Sequence, residues 1–107
     1  MNHQLEEFVL ANRDRYIVIL NLKERIHTIY KLVIEHRKEA IHKRYIHRAI
    51  YDVVIGSRWD KVVKFPFFTY ASIEQLQTCI DVADAIIEDI ILIHTYVRQS
   101  EEFRLTK

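Results

Sequence analysis

The scarcity of helix-breaking residues is the feature that most constrains the fold of this chain. Among 107 residues there are one glycine and one proline, Gly56 and Pro66, so the first 55 residues contain neither type. Turns and sheet edges rely on these two residue types, whereas helix interiors largely exclude them. Half of the residues are apolar, which is enough to build a packed core. The sequence therefore predicts an all-α protein.

Hydrophobic periodicity predicts a long helix in the first third of the chain, where apolar residues recur at steps of three and four. Residues 2–12 predict a short helix that either ends near Asn12 or continues into the long one. Continued past Val33, the apolar stripe meets arginines, whereas the apolar residues of 46–53 fall on nearly the opposite side. We therefore expect either a break near residues 35–40 or one helix whose two halves bury opposite faces. The stripe consists of Ile19, Leu22, Ile26, Ile29, Tyr30 and Val33.

In the middle of the chain, capping signals predict where helices end and begin. Gly56 is expected to end a helix in the left-handed conformation. The segment Ser57–Asp60 resembles a capping box and predicts a short helix through Val63. Residues 64–70 predict an extended loop, because Pro66 disfavours a helix at the residue before it.

The last third of the chain predicts a second long helix. Ser72–Gln75 has the pattern of a capping box, and the apolar heptad that follows predicts one helix from residue 72 to about 100, with a charged tail that frays. The expected fold is one domain over residues 1–107, a bundle of three to four helices of which two are long. Because so small a domain has a poor ratio of volume to surface, we expect homodimerisation to complete it.

Charge is distributed unevenly along the chain although its formal total is only +1. Residues 13–48 carry ten Lys/Arg and four Asp/Glu, whereas residues 72–107 carry three and seven. Two interpretations are open. The segments pack side by side and neutralise each other, or the basic segment is kept for an anionic partner.

The basic charge is densest from residue 36 to 48, which holds five Lys/Arg and three His against one Glu. Its arginines are expected either to pair with the acidic face of the last helix, within the protomer or across a dimer, or to stay open for a partner. The first is favoured. The candidate residues for binding a partner or an anion are Arg37, Arg44, Arg48, Lys38, Lys43 and Tyr51.

An aromatic cluster occupies the twelve residues from Trp59 to Tyr70. The simplest interpretation is a plug over one end of the bundle, and the alternative is a partner-binding hot spot, since aromatic residues dominate such sites. Its members are Trp59, Phe65, Phe67, Phe68 and Tyr70.

Signals for metal, cofactor or nucleophile chemistry are lacking. The histidines at 36, 42 and 47 are six and five residues apart, which does not place two metal ligands on one helix face. A single glycine excludes phosphate-binding loops, and Cys79 on the apolar side of a helix is interpreted as a core residue. We expect no metal, no cofactor and no catalytic residues, although six histidines predict a response to pH near neutrality.

One short motif bears on catalysis. Arg37 and His42 are separated by four residues, which resembles the Arg-x4–6-His pattern of HEPN-type ribonucleases, small all-α dimers. The resemblance implies that Arg37 stabilises phosphate charge and that His42 performs acid–base chemistry across a dimer interface. It covers six residues.

The function predicted first is a small non-catalytic protein–protein interaction module, a regulator, inhibitor or adaptor that acts as a helical homo-oligomer. The alternatives are a nucleic-acid-binding protein that uses the basic helix face of residues 36–48 and the HEPN-like ribonuclease. A single cysteine and no pattern of a signal peptide or membrane span predict a cytoplasmic protein without membrane contact.

Overall fold

The computed structural model describes residues 3–37 and 41–105, with side chains described for residues 13–35 and 41–105. The prediction of an all-α protein is confirmed, since the described residues form helices and contain no strand. Five helices, rather than three to four, pack against one another. They are α1 (His3–Arg37), α2 (Lys43–Ile55), α3 (Phe67–Tyr70), α4 (Ile73–Glu88) and α5 (Leu92–Leu105), with a 3₁₀ turn at Trp59–Lys61.

Helix α1 is continuous, so the boundary considered near Asn12 does not occur. Its 35 residues make it about 52 Å long, close to the 54 Å length of the whole molecule. The predicted apolar stripe is its core face: Leu22, Ile26 and Ile29 are at most 1% exposed. This face packs against α4 and, over a shorter stretch, against α2.

The helix is interrupted between the two opposed apolar stripes, which is one of the two arrangements expected. Helix α1 ends at Arg37 and α2 begins at Lys43. His42 has extended backbone, and its Nδ1 accepts a hydrogen bond from the backbone N–H of Arg44 at 3.2 Å. The basic helix face expected over residues 36–48 is therefore not one continuous face, because α1 ends at Arg37 and α2 begins at Lys43.

Helix α2 ends as predicted, but the segment after it differs from expectation. Gly56 has φ 81° and donates its N–H to the Asp52 carbonyl. The expected capping box at Ser57–Asp60 does not form, because the Ser57 hydroxyl donates to the Arg58 carbonyl and the Asp60 carboxylate accepts from the Arg58 guanidinium. Only the 3₁₀ turn results.

The loop predicted over residues 64–70 is extended only as far as Pro66. A helical turn, α3, follows because the Pro66 carbonyl accepts the backbone N–H groups of Thr69 and Tyr70. The capping box at the start of α4 is confirmed: Ser72 Oγ accepts from Gln75 N–H at 3.0 Å, and Gln75 Oε1 accepts from Ser72 N–H at 2.8 Å.

The single long helix predicted from residue 72 to about 100 is wrong. Helix α4 ends at Glu88, and the Asp89 carboxylate accepts the backbone N–H of Ile91 at 3.3 Å. A side chain that hydrogen-bonds to a nearby backbone group competes with the hydrogen bonds of the helix. Here the helix is interrupted, and α5 begins only at Leu92. Helix α5 then packs mainly against α2, whereas α4 packs mainly against α1.

The tail predicted to fray is instead helical as far as Leu105. Ser100 is fully buried, and Arg104 pairs with a carboxylate of α2. Within the described residues, no helix is both long enough and apolar enough to cross a membrane.

Candidate binding groove

A groove of about 560 Å³ lies where α2, the 3₁₀ turn and α5 meet. We call it the arginine–aromatic groove, because three arginines and four aromatic residues form most of its lining. Of its lining residues, Arg44, Tyr45, Asp60 and Phe65 are exposed to solvent. It is lined by Arg44, Tyr45, His47, Arg48, Tyr51, Trp59, Asp60, Phe65 and Arg104.

Two of the predicted binding residues converge on one ring that was not among the predicted site residues. The guanidinium groups of Arg44 and Arg48 lie 5.0 and 4.8 Å from the centre of the Tyr45 ring. This distance allows a cation–π attraction, and Arg44 Nη2 also donates to the Tyr45 hydroxyl at 3.2 Å. Two positive charges are thus held against one aromatic ring.

Neither arginine is neutralised within the described part of the protomer. No carboxylate of the described residues forms an ion pair with Arg44 or Arg48, and the buried Nε of Arg48 has no hydrogen-bond partner there. Glu101 of α5 lines an adjoining depression together with Arg48 without pairing to it. For Arg44 and Arg48, the favoured expectation of pairing with the acidic face of the last helix is therefore not met among the described residues.

Arg104 has a different role from the other two arginines. Its guanidinium binds both oxygens of Asp52, at 3.0 and 3.2 Å. Asp52 is fully buried, and it also accepts the Trp59 backbone N–H at 2.8 Å and the Ser100 hydroxyl at 2.6 Å. Buried carboxylates persist when all their acceptor sites are used in this way, so Asp52 joins the three elements that form the groove.

Sequence reasoning missed Asp52. One signal was present, because Asp52 is the only charged residue in the apolar segment from Ala49 to Ile55. An acidic residue in such a segment must find partners if the segment is buried. Its partners lie 48 and 52 positions further along the chain, and nothing in the local pattern identifies them.

The aromatic residues divide into a buried group and an exposed group. The ring of Phe67, 3% exposed, stacks on Tyr51 at 3.9 Å between centroids. Trp59 and the half-buried Phe68 meet Tyr51 edge-on, and both pack against the hydrophobic core. Phe65 and Tyr70 are 82% and 55% exposed, and of these two Phe65 lines the groove.

His47 sits at the base of the groove with its ring half-buried. Its Nδ1 lies 2.6 Å from the Tyr51 hydroxyl, and the ring meets Phe68 edge-on. Burial, together with the charges of Lys23 and Lys43, lowers its pKa to about 4. His47 is therefore neutral at pH 7, and the positive charge of the groove comes from arginine.

The remaining predicted residues lie elsewhere or outside the described side chains. Lys43 faces α1, where its ammonium group lies 5.2 Å from the Tyr30 ring centre. Lys38 and the side chain of Arg37 are outside the described residues. His42, the other residue of the ribonuclease-like motif, uses its Nδ1 to cap α2.

Other reactive groups of the described residues are held in unreactive settings. Burial raises the pKa of the Cys79 thiol to about 12, and burial also raises the pKa of the Tyr51 hydroxyl. No group of three or more His, Cys, Asp or Glu side chains among the described residues is arranged to hold a metal ion.

Comparison of the chain with protein-family models, with curated proteins and with solved structures found no significant match. The chemistry of the groove therefore has to be argued from its own residues. It offers two guanidinium groups on one tyrosine ring that form no ion pair among the described residues, an exposed aromatic ring and a partly buried indole. Together these can bind a carboxylate or phosphate next to an apolar or aromatic group.

Proposed function

We propose that this chain is a non-catalytic interaction module that binds an acidic segment of another protein in the arginine–aromatic groove. The observation that carries the proposal is the pair of unneutralised arginines on Tyr45, next to Trp59 and Phe65. Arginine, tyrosine and tryptophan are the residues enriched at the energetic centres of protein interfaces. A guanidinium group also matches a carboxylate through two parallel hydrogen bonds.

The charges around the groove favour a short acidic segment over a long polyanion. Asp60 forms part of the groove wall, where it would repel a continuous phosphate backbone, although Arg58 partly offsets its charge. His47 adds no positive charge at neutral pH, and the total charge of the chain is +1. A peptide with one or two carboxylates beside an apolar side chain fits these features better.

The settings of the reactive groups support a role in binding without catalysis. The thiol of Cys79 is buried with a raised pKa, so it is a poor nucleophile. The ring of His47 is hydrogen-bonded to the Tyr51 hydroxyl and stays neutral at pH 7. The Nδ1 atom of His42 is used to cap α2. We also propose that the module is a cytoplasmic homodimer, because a chain with a single cysteine has no internal disulfide, as is usual in a reducing compartment, and because α1 carries exposed apolar residues.

Single-stranded nucleic acid is the second candidate ligand. The observation that favours it is the 82% exposed ring of Phe65 beside two arginines. Proteins that bind single strands combine aromatic rings, on which bases stack, with a positively charged groove for the backbone.

Trp59 provides a direct test, because it is the only tryptophan in the chain and it lines the groove. Its fluorescence would be followed during titration with a peptide of alternating Asp and Leu, and separately with oligodeoxythymidine, at about 0.15 M salt. We expect the peptide to shift the emission and the oligonucleotide to have little effect. Arg44→Glu should weaken peptide binding at least about tenfold, since it replaces attraction by repulsion.

Arg98→Glu is the matched control, because Arg98 is an exposed arginine of α5 that does not line the groove. It changes the net charge equally and should leave the affinity within about twofold of the wild type. Tighter binding of the oligonucleotide than of the peptide would favour the second candidate. If neither probe moves the emission, the groove is not an anion site.

A further inference from the structure

Helix α1 carries a second stripe on the side opposite its core face. At about 100° per residue, the mean direction of this stripe lies about 165° from that of Leu22, Ile26 and Ile29. Ile17 and Leu20 are each 46% exposed, and Ile34 is 43% exposed. We call this stripe the α1 seam. Its residues follow steps of four and three and are Arg13, Ile17, Leu20, Glu24, His27, Lys31 and Ile34.

The seam has the spacing of a coiled-coil heptad, in which apolar residues at alternating steps of three and four face a second helix. Its charged members are exposed. Among the described residues, neither Arg13 nor Glu24 forms an ion pair within the protomer. The seam therefore presents apolar side chains and unpaired charges together, in a row that no other element of the described chain covers.

The order of these residues is self-complementary. We propose that the α1 seam binds the α1 seam of a second copy of this chain, with the two helices antiparallel. The two-fold axis passes beside the midpoint between residues 18 and 19. Ile17 then lies opposite Leu20 of the second copy, and Arg13 lies opposite Glu24 of the second copy. By symmetry each contact occurs twice.

The charges select the antiparallel direction. A parallel pair in register would set Arg13 against Arg13 and Glu24 against Glu24, and like charges facing each other disfavour an arrangement. The antiparallel pair converts the same four side chains into two ion pairs that flank the apolar contacts. Exposed ion pairs contribute little affinity but determine orientation, so Ile17 and Leu20 supply the attraction.

The length of α1 makes an adequate interface possible. In this register, residues 3–34 of the two helices run side by side for about 48 Å. No residue of α1 lines the arginine–aromatic groove, so each copy keeps its groove open. The inference rests on the homodimer proposed above and adds to it the contact surface and the direction of the helices.

Charge reversal tests the seam, with the mass measured by sedimentation equilibrium. The wild-type protein should sediment at twice its 12.9 kDa mass at micromolar concentration. Arg13→Glu and Glu24→Arg should each weaken the dimer about tenfold, because each turns both ion pairs into repulsive contacts. The double variant Arg13→Glu/Glu24→Arg should recover wild-type affinity, and an equimolar mixture of the two single variants should form a heterodimer.

Asp81→Arg is the matched control, since Asp81 is an exposed acidic residue of α4 away from the seam, and it should leave the mass unchanged. Circular dichroism of each variant confirms that it is folded. A wild-type monomer at about 100 µM would overturn the homodimer and the seam together. A wild-type dimer that both single reversals leave intact would overturn the seam alone. The Trp59 titration measures groove binding separately from either result.

Discussion

Asp52 joins three segments of the chain through a single buried side chain. Its carboxylate accepts four hydrogen bonds, from the 3₁₀ turn and from Ser100 and Arg104 of α5. Desolvating a carboxylate costs several kcal/mol, which only a full set of donors offsets. The cost of removing Asp52 should therefore come largely from Arg104 and from the Trp59 N–H, which lose their partner.

We expect Asp52→Ala to lower the free energy of unfolding by about 3 kcal/mol, because it leaves a partly buried guanidinium group without its counter-charge. Ser100→Ala, which removes one neutral donor, should cost about 1 kcal/mol. Urea denaturation followed by circular dichroism measures both. Asp60→Ala is the control, since its ion pair with Arg58 is on the surface and should matter much less. Equal losses for Asp52→Ala and Asp60→Ala would contradict the assigned role.

The expected response to pH can be assigned to His47, which should make the folded state less stable as the pH falls. Its pKa in the folded chain is lowered to about 4 by burial, with Lys23 of α1 and Lys43 of α2 adding repulsion, whereas an unfolded histidine titrates near 6.5. Between these values the unfolded state binds a proton that the folded state does not. Stability from this group is therefore complete above about pH 6.5 and is lost as the pH falls toward 4.

We predict that the unfolding free energy of the wild type falls by about 1 kcal/mol per pH unit from this source between pH 6.5 and 4.5. His47→Gln should flatten that slope whatever its effect on stability at pH 7, because glutamine does not titrate. Thermal or urea melts at several pH values provide the slopes. Thr95→Gln, at an exposed position of α5, should keep the wild-type slope because it removes no titratable group. An unchanged slope in His47→Gln would show that other groups dominate.

At the scale of the helices, three short signals determine where elements begin and end. Ser72 and Gln75 start α4 by bonding to each other's backbone. The Asp89 carboxylate separates α4 from α5, and Gly56 ends α2 in the left-handed region. The capping box and the glycine are local sequence patterns. Asp89, in contrast, cannot be told in sequence from an ordinary acidic residue on a helix surface.

We expect Gly56→Ala to destabilise the fold by about 1 kcal/mol. No atom lies within 4 Å of the position that a Cβ would take, so the cost comes from the backbone at φ 81° and not from a clash. Gly56→Asn should cost less, since asparagine tolerates the left-handed region better than alanine. Chemical denaturation ranks the two variants. Equal stability of Gly56→Ala and the wild type would show that the C-terminal end of α2 can adopt another conformation at little cost.

At the scale of the whole molecule, α1 has one apolar face in the core and a second, exposed stripe on the opposite side. One side supplies the core face against α4 and α2, and the opposite side carries the α1 seam. The uneven charge along the sequence is only partly neutralised by this packing: among the described residues, Arg25 pairs with Asp84 across α1 and α4. Among the described residues, Arg44 and Arg48 of the groove and Arg13 and Glu24 of the seam form no ion pair, and these are the two surfaces that we propose for binding.

The sequence by itself determined the helical class, the core face of α1, the end of α2 at Gly56 and the start of α4 at Ser72. These features are encoded locally, by spacing within one helix and by residues three or four positions apart. Arg44, Arg48, Tyr51, Trp59 and Phe65 were all selected from composition, and the structure places them along one groove.

Only the tertiary structure decided how α5 is oriented, which aromatic rings are exposed, and which side chains meet. The Asp89 break turns α5 onto α2, and this brings Ser100 and Arg104 to Asp52 across about fifty positions of sequence. Contacts over such separations depend on the path of the backbone, which no local pattern contains. The sequence thus predicted where basic and aromatic residues concentrate, whereas the packing of α5 against α2 formed the groove that we propose for binding.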